Sequence, residues 1–374
     1  YIFSLYSNFT FFARDPINGD EIKQAEKRNI IGLLSRITHK NMYRNWTLHS
    51  IYGAGLRADA TKGSELSYVV QRRFLSNVKL GDIKESNLFG YMQQQAIAGR
   101  WLIEAGVRLD YFHFNYFNRL NSAQKPSQSK GIVSPKLNIQ YTVNKQVQLY
   151  VKGGKGFHSN DARVVVENEG REILPAAYSA DIGILLKPTP NFLLNIAAWY
   201  LHLNQEFVYV GDEGVVEPSG KTRRQGIDVI ARYQFTNSLF ATANFNVTNP
   251  RAIGAPKYED YIPLAPTFTS VGGVYYKPRQ GFNGGLSYRY IKDRPANEDN
   301  SITAQGYFLL DGSFNYTKPT FEVGVAFENI FNIDWNEAQF ATTSQLKGEN
   351  EPVTELHYTP GNPFFFRFKV AFFF

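Results

Sequence analysis

The stretch Trp101-Leu102-Ile103-Glu104-Ala105-Gly106-Val107-Arg108-Leu109-Asp110-Tyr111 decides the fold. Its odd positions are all apolar, and its even positions carry Glu104, Gly106, Arg108 and Asp110. Strand side chains alternate between faces, so this is an amphipathic strand with one wholly apolar side. The pattern recurs. Leu239, Ala241, Ala243, Phe245 and Val247 oppose Thr242, Asn244 and Asn246; Phe321, Val323, Val325 and Phe327 oppose Glu322 and Glu328. At the end, Phe366, Phe368, Val370, Phe372 and Phe374 oppose Arg367 and Lys369. A soluble sandwich also alternates, but its strands run for about 5 or 6 residues. Here the alternation often lasts about 9 to 11, the length that crosses a bilayer at a barrel's tilt. Tyr111, Tyr141, Tyr233, Tyr288, Tyr290 and Tyr316 stand at strand ends, where headgroup-level rings belong. The fold class is therefore all-β, a transmembrane antiparallel β-barrel.

Composition excludes the competing classes. Without cysteine, the 374 residues build neither a disulfide framework nor a Cys-ligated metal site. No run of some 18 apolar residues makes a membrane helix. Disorder does not fit a chain that is 43% hydrophobic and 15% aromatic. Tight links alternate with long polar segments: Ala98 to Arg100, Val143 to Lys145, Thr236-Asn237 and Lys318-Pro319 hold turn formers. Between them lie expected loops at 14–28, 59–85, 118–130, 160–176, 251–264, 293–301 and 333–359. Short turns on one side and long loops on the other are the outer-membrane pattern, with about 16 strands. Residues 1–374 read as one barrel portion with no linker or repeat. Tyr1 already lies inside an alternating pattern and no signal peptide precedes it, so a mature fragment or part of a longer polypeptide is expected.

The polar faces define a lumen. Arg57, Arg108, Lys136, Gln140, Lys152, Asp228, Arg232, Asn244, Arg289, Asp311, Arg367 and Lys369 would line it with mixed charge and an excess of cations. Such a lining suits water and a hydrophilic solute, and favours anions. The alternative is that these charges only solvate the barrel interior and pair with a domain that plugs it. The six histidines lack ligand spacing, so no metal site and no cofactor is expected. Gly153-Gly154-Lys155-Gly156 lacks the P-loop pattern, and His158-Ser159-Asn160-Asp161 forms no triad. Basic residues alternate by face instead of forming a patch, which argues against nucleic acid. No enzyme is expected.

Particular segments resemble a family. Ile173 to Ala177, Ala198-Trp199-Tyr200, Glu206 to Asp212 and Ser219 to Ile227 are similar to the C-terminal barrel of TonB-dependent outer-membrane receptors. So are Arg294 to Ser301, Glu328 to Asn332 and His357 to Pro363 before the terminal strand. The ordered series covers most of 131–374, and the first hundred residues match in pattern only.

The resemblance implies a receptor in the outer membrane of a Gram-negative bacterium. It would bind a scarce small-molecule nutrient, such as a ferric siderophore, and import it to the periplasm with a TonB-type energy-transducing complex. It implies a barrel of about 22 strands around a plug, so the plug and roughly six strands lie outside the sequence given. Gly156 to Arg163 matches the point where family members turn into an extracellular loop, which makes His158, Asn160 and Arg163 ligand-contact candidates. Tyr209 and Trp335 would stack on a ligand or sit in the girdle. Phe368, Phe372 and Phe374 look like the signal read by the barrel assembly machinery. Loop cations would meet lipopolysaccharide phosphates. The alternatives are a passive porin of about 16 strands and a surface adhesin.

Overall fold

Alternating side chains dictate strands, and alternating turns dictate that each strand pairs with the next. A computed structural model describes residues 1–8, 10–124, 127–158, 173–210 and 215–374. Its strands begin with β1 (Ile2–Ser7), β2 (Ile22–Tyr43), β3 (Trp46–Val70), β4 (Arg73–Ala98), β5 (Trp101–Asn118), β6 (Ala123–Gln124) and β7 (Gln128–Thr142). There follow β8 (Val147–Phe157), β9 (Ala176–Thr189), β10 (Phe192–Val210), β11 (Val215–Gln234), β12 (Leu239–Ala252), β13 (Phe268–Tyr276) and β14 (Gly281–Ile291). The remainder are β15 (Arg294–Pro295), β16 (Thr303–Ala304), β17 (Tyr307–Thr317), β18 (Phe321–Glu328), β19 (Asn336–Ser344), β20 (Val353–Pro360) and β21 (Phe365–Phe372).

One antiparallel meander runs β1 to β5, β7 to β14, β17, β18 and β21, sixteen strands, with the two-residue β6 lying beside β5. This agrees with the count read from the sequence. β1 and β21 end the series, and among the described residues no ladder joins them. β1 pairs with Ile22 to Lys27 of β2, so Asn29 to Tyr43 meet a neighbour on the β3 side only.

The turn side is built by local chemistry. Asn144 Oδ1 accepts from the amides of Gln146 and Val147 at 2.8 and 2.9 Å, and Thr236 Oγ1 takes that of Leu239 at 3.0 Å. On the opposite side the structure corrects two expected loops. The segment 59–85 is strand almost throughout: β3 and β4, of 25 and 26 residues, continue to a two-residue turn in which Gln71 and Arg72 both have positive φ. The segment 333–359 holds the hairpin β19–β20. In both places backbone pairing persists beyond the bilayer, where neither face meets lipid and period-two polarity therefore vanishes.

The apolar face points outward. Phe368, Leu88 and Ile182 are 76%, 62% and 61% exposed, members of a continuous apolar surface that only lipid covers. Rings mark its limits. Trp101 and Tyr141 lie 4.5 Å apart at the turn side, while Tyr111, Tyr288 and Tyr290 stand at the loop side. Past Tyr111 the buried apolar side switches, so that Phe112, Phe114 and Tyr116 on the inner face pack with Ile173 and Leu174.

Candidate functional site

The inner face of the sheet is a wall of polar pairs, some within one strand and some across neighbouring strands. Arg108 grips Asp110 through Nε (2.7 Å) and Nη2 (2.8 Å), Asn87 Nδ2 donates to the same carboxylate at 3.0 Å, and the Arg108 guanidinium lies 3.9 Å over Phe89. Lys136 donates to Glu104 at 3.0 Å and to Gln93 at 3.2 Å. Arg57 meets Asp59, and Arg289 reaches Asp311 at 3.4 Å. Near the turn side Asn315 donates to Asn283, Asn283 to Thr317 and Thr317 to Glu322, which also accepts from Lys369 at 2.7 Å. Arg367 pairs with Glu328. Lys152 lies 4.7 Å from the Tyr150 ring, and Arg232 is held 4.7 Å over Phe240.

The eight cations expected to line the lumen, Arg57, Arg108, Lys136, Lys152, Arg232, Arg289, Arg367 and Lys369, thus lie on the inner face, and six of them pair with a carboxylate. Asp228 bonds Asn246 and Gln140 accepts from Gln148, so these positions are also engaged within the wall. A wall neutralised in this way is polar without being strongly cationic, and the expected preference for anions is correspondingly weaker there. Between β4, β5 and β7 it carries a recess of about 460 Å³ walled by Phe89, Tyr91, Gln93, Arg108, Ser134 and Lys136. The floor is Gly106, where a Cβ would lie 2.9 Å from the Lys136 chain.

At the loop side the wall opens into a mouth. Phe112 and Phe114 stack at 5.8 Å, and Phe157 meets Phe112 edge-on at 5.6 Å. Across the sheet, Trp335 donates its indole N–H to Asn362 O at 3.0 Å, lies 4.9 Å from the Tyr307 ring and 5.9 Å from the Arg289 guanidinium. A side chain at Gly361 would overlap the Trp335 ring. Asn329 fixes this corner by donating to Ile333 O and Asn362 O at 2.9 and 3.1 Å and accepting from Ile333 N at 3.0 Å. The hairpin β19–β20 then reaches the opposite end of the sheet: Phe12 N donates to Gln345 O at 2.7 Å, and Phe11 meets His357 edge-on at 5.1 Å.

The ligand-contact candidates are not assembled into one described cluster. His158 is exposed and its amide donates to Pro175 O at 3.1 Å. Asn160 and Arg163 lie outside the described residues, and Tyr209 is described only as a backbone position in β10, paired with Val216. Trp335 belongs to the mouth, on the inner side with Tyr307, and not to the lipid girdle. Phe368 and Phe372 project outward from β21, and Phe374 follows that strand. Arg294, which opens one of the family-resembling segments but receives no role from the sequence, stands in β15 within the β14–β17 connection and is 9% exposed. Its only sequence signal is a cation within a loop otherwise rich in Asn, Asp and Glu.

A family profile described as TonB dependent receptor-like, beta-barrel, matches residues 3–333, and so includes the first hundred residues. The ferric citrate transporter FecA in its unliganded form superposes with a TM-score of 0.73 at 16% identity, over 94% of this chain and 55% of that one. The ferric yersiniabactin uptake receptor FyuA from Yersinia pestis gives 0.71 at 14%, over 95% and 55%. A copper transporter, OprC, gives 0.70 at 13%, over 94% and 57%. At these identities the likeness establishes the fold, and the chain spans little more than half the length of these structures.

Proposed function

This chain belongs to the family of TonB-dependent receptor β-barrels, outer-membrane proteins of Gram-negative bacteria, and on that premise we propose that it imports a small nutrient, a metal chelate foremost. The solute binds at the outer mouth and passes to the periplasm on energy delivered by a TonB-type complex. The observation that carries the reading is the family match along a barrel whose inner wall is largely polar up to the apolar cluster at its loop side. The cargoes of the similar structures, ferric citrate, ferric yersiniabactin and copper, support the metal-chelate class. The family match favours this over a passive porin, for which only the strand count speaks.

Two further partners fit the surface. Lys84 continues the outward row of β4 past the level of Tyr111, where lipopolysaccharide phosphates lie. The outward Phe366, Phe368 and Phe372, with Phe374, suit recognition by the barrel assembly machinery. The test of import is uptake of labelled ferric citrate and a ferric catecholate by cells carrying the whole polypeptide as their only receptor, with and without the TonB complex. Loss of uptake without TonB is expected. Uptake that persists would make the barrel a passive pore.

A further inference from the structure

The meander is not paired along its whole height. β7 and β8 share a ladder from Thr142 opposite Gln148 to Lys136 opposite Gly154, and there it stops, because Pro135 stands next in line and has no N–H to offer. Beyond that point, toward the loops, β7 pairs with β5 and β8 with β9. Among the described residues Gln128 to Ser134 and Gly156-Phe157 therefore run side by side without ladder bonds. In a membrane wall such a split is costly, since lipid tails cannot serve bare backbone groups. Its inner side is closed: Phe157 and Ile132 pack against the cluster of Phe112, Phe114 and Leu174. Its outer side is not. A cavity of about 430 Å³ lies between the two strands and the start of β9, walled by Ile132, Val133, Leu174 and Tyr178 together with Lys130 and Lys155.

The cavity faces the bilayer. Val133 and Tyr178 are outward positions, 47% and 45% exposed, paired with Leu109 and His202. Val133 stands two residues inside Gly131, the partner of Tyr111, which sets the cavity at the outer edge of the lipid-facing belt. Among the described residues neither Lys130 nor Lys155 has an ion-pair partner. Lys155 also borders the recess on the inner face, where Ser134 Oγ is buried without a hydrogen bond.

We propose that the split between β7 and β8 is a binding site for one acidic membrane lipid, an acyl chain lying against Ile132, Val133, Leu174 and Tyr178 and the phosphate taken by Lys130 and Lys155. Apolar walls with two unanswered cations above them are complementary to a chain that ends in an anion, and a cavity at the outer belt edge has such lipids as its neighbours. Lys84 meets headgroups from an open strand face; the cavity holds a single molecule within the wall. The site is independent of what the barrel imports.

The test uses the full-length protein in mild detergent, supplied with phosphatidylglycerol, phosphatidylcholine of the same chains, or glycerol 3-phosphate, with bound molecules counted by native mass spectrometry. One phosphatidylglycerol should be retained, half-saturating at about a tenth of the concentration that phosphatidylcholine needs, and glycerol 3-phosphate should not compete. Lys155→Gln should raise the half-saturating concentration about tenfold, the loss expected of a hydrogen bond to a charged group. Val133→Trp, which fills the cavity from a lipid-facing position, should abolish retention while leaving thermal unfolding in lipid-free detergent unchanged. Equal affinity for the two lipids, competition by glycerol 3-phosphate, or undisturbed retention in either variant overturns the site. Should Lys155→Gln not fold, Lys130→Gln serves, with unchanged retention again overturning it. Excess ferric citrate should leave the lipid in place, and displacement would put the cavity on the solute path and overturn it as a lipid site.

Discussion

Asp110 is where the structure commits itself most sharply on energetics. Its side chain is wholly buried and accepts three hydrogen bonds, two from the Arg108 fork and one from Asn87, while Arg108 remains 39% exposed. Asp110→Asn keeps the shape but turns a donor toward donors and removes the charge that two of the bonds depend on. A bond to a charged group contributes about 1.5 to 3 kcal/mol, and solvent at Arg108 takes part of that back, so the substitution should cost about 2 to 3 kcal/mol. Asp110→Ala should cost about 3 kcal/mol, the lower end for breaking a buried pair. Equilibrium urea unfolding in phospholipid vesicles, followed by tryptophan emission, would show a midpoint lower by about 1 M for a slope near 3 kcal/mol per M. Arg57–Asp59 supplies the control, because its arginine is 58% exposed and the pair should be worth less than about 1 kcal/mol and respond to salt. An Asp110→Asn midpoint within error of wild type would refute the argument, as would equal losses at the two pairs.

Three other outcomes are expected. Trp335→Phe gives up the indole hydrogen bond to Asn362 for about 1 kcal/mol, and Gly361→Ala should displace the ring itself; protease cleavage at Lys347, in the β19–β20 connection, should quicken in both, and unchanged cleavage would contradict the packing described. Asp15 is held below its usual pKa by the amide and side chain of Asn18 and the amide of Ile17; its contribution is therefore complete above the ordinary aspartate value of about 4 and lost as pH falls through the lower folded value. The difference in thermal midpoint between wild type and Asp15→Asn should accordingly hold from pH 7 to about 5 and shrink only in stronger acid, whereas shrinkage already near pH 6 would exclude Asp15 as its source. Deleting Phe374, whose ring is fully exposed beyond β21, should lower the yield of assembled barrel although no packing within the chain is lost; equal membrane yield would remove its role as an assembly signal.

Much of this protein is written in nearest-neighbour chemistry. Two-residue alternation in 101–111 and 366–374, with rings at Trp101, Tyr111 and Tyr141, fixes which face meets lipid and how many strands cross it, because each side chain's direction follows from its parity. The pair Arg108 and Asp110 is legible too, two residues apart on one face. What alternation cannot carry is register. Lys369 finds Glu322 47 residues away and Lys136 finds Glu104 32 away, and only the alignment of neighbouring strands reveals that the expected cationic lumen is largely neutralised. The long β3–β4 extension and the β19–β20 hairpin were likewise hidden, since beyond the bilayer no lipid imposes an apolar face and backbone hydrogen bonds hold strands whose side chains show no period. Arg294 is the extreme case: its sequence neighbours promise it carboxylates, yet Asp293 and Asp299 accept from the amides of Gly306 and Ser301 and the guanidinium's hydrogen bond goes to Gln305 O, because the path of the loop and not its composition sets which groups meet.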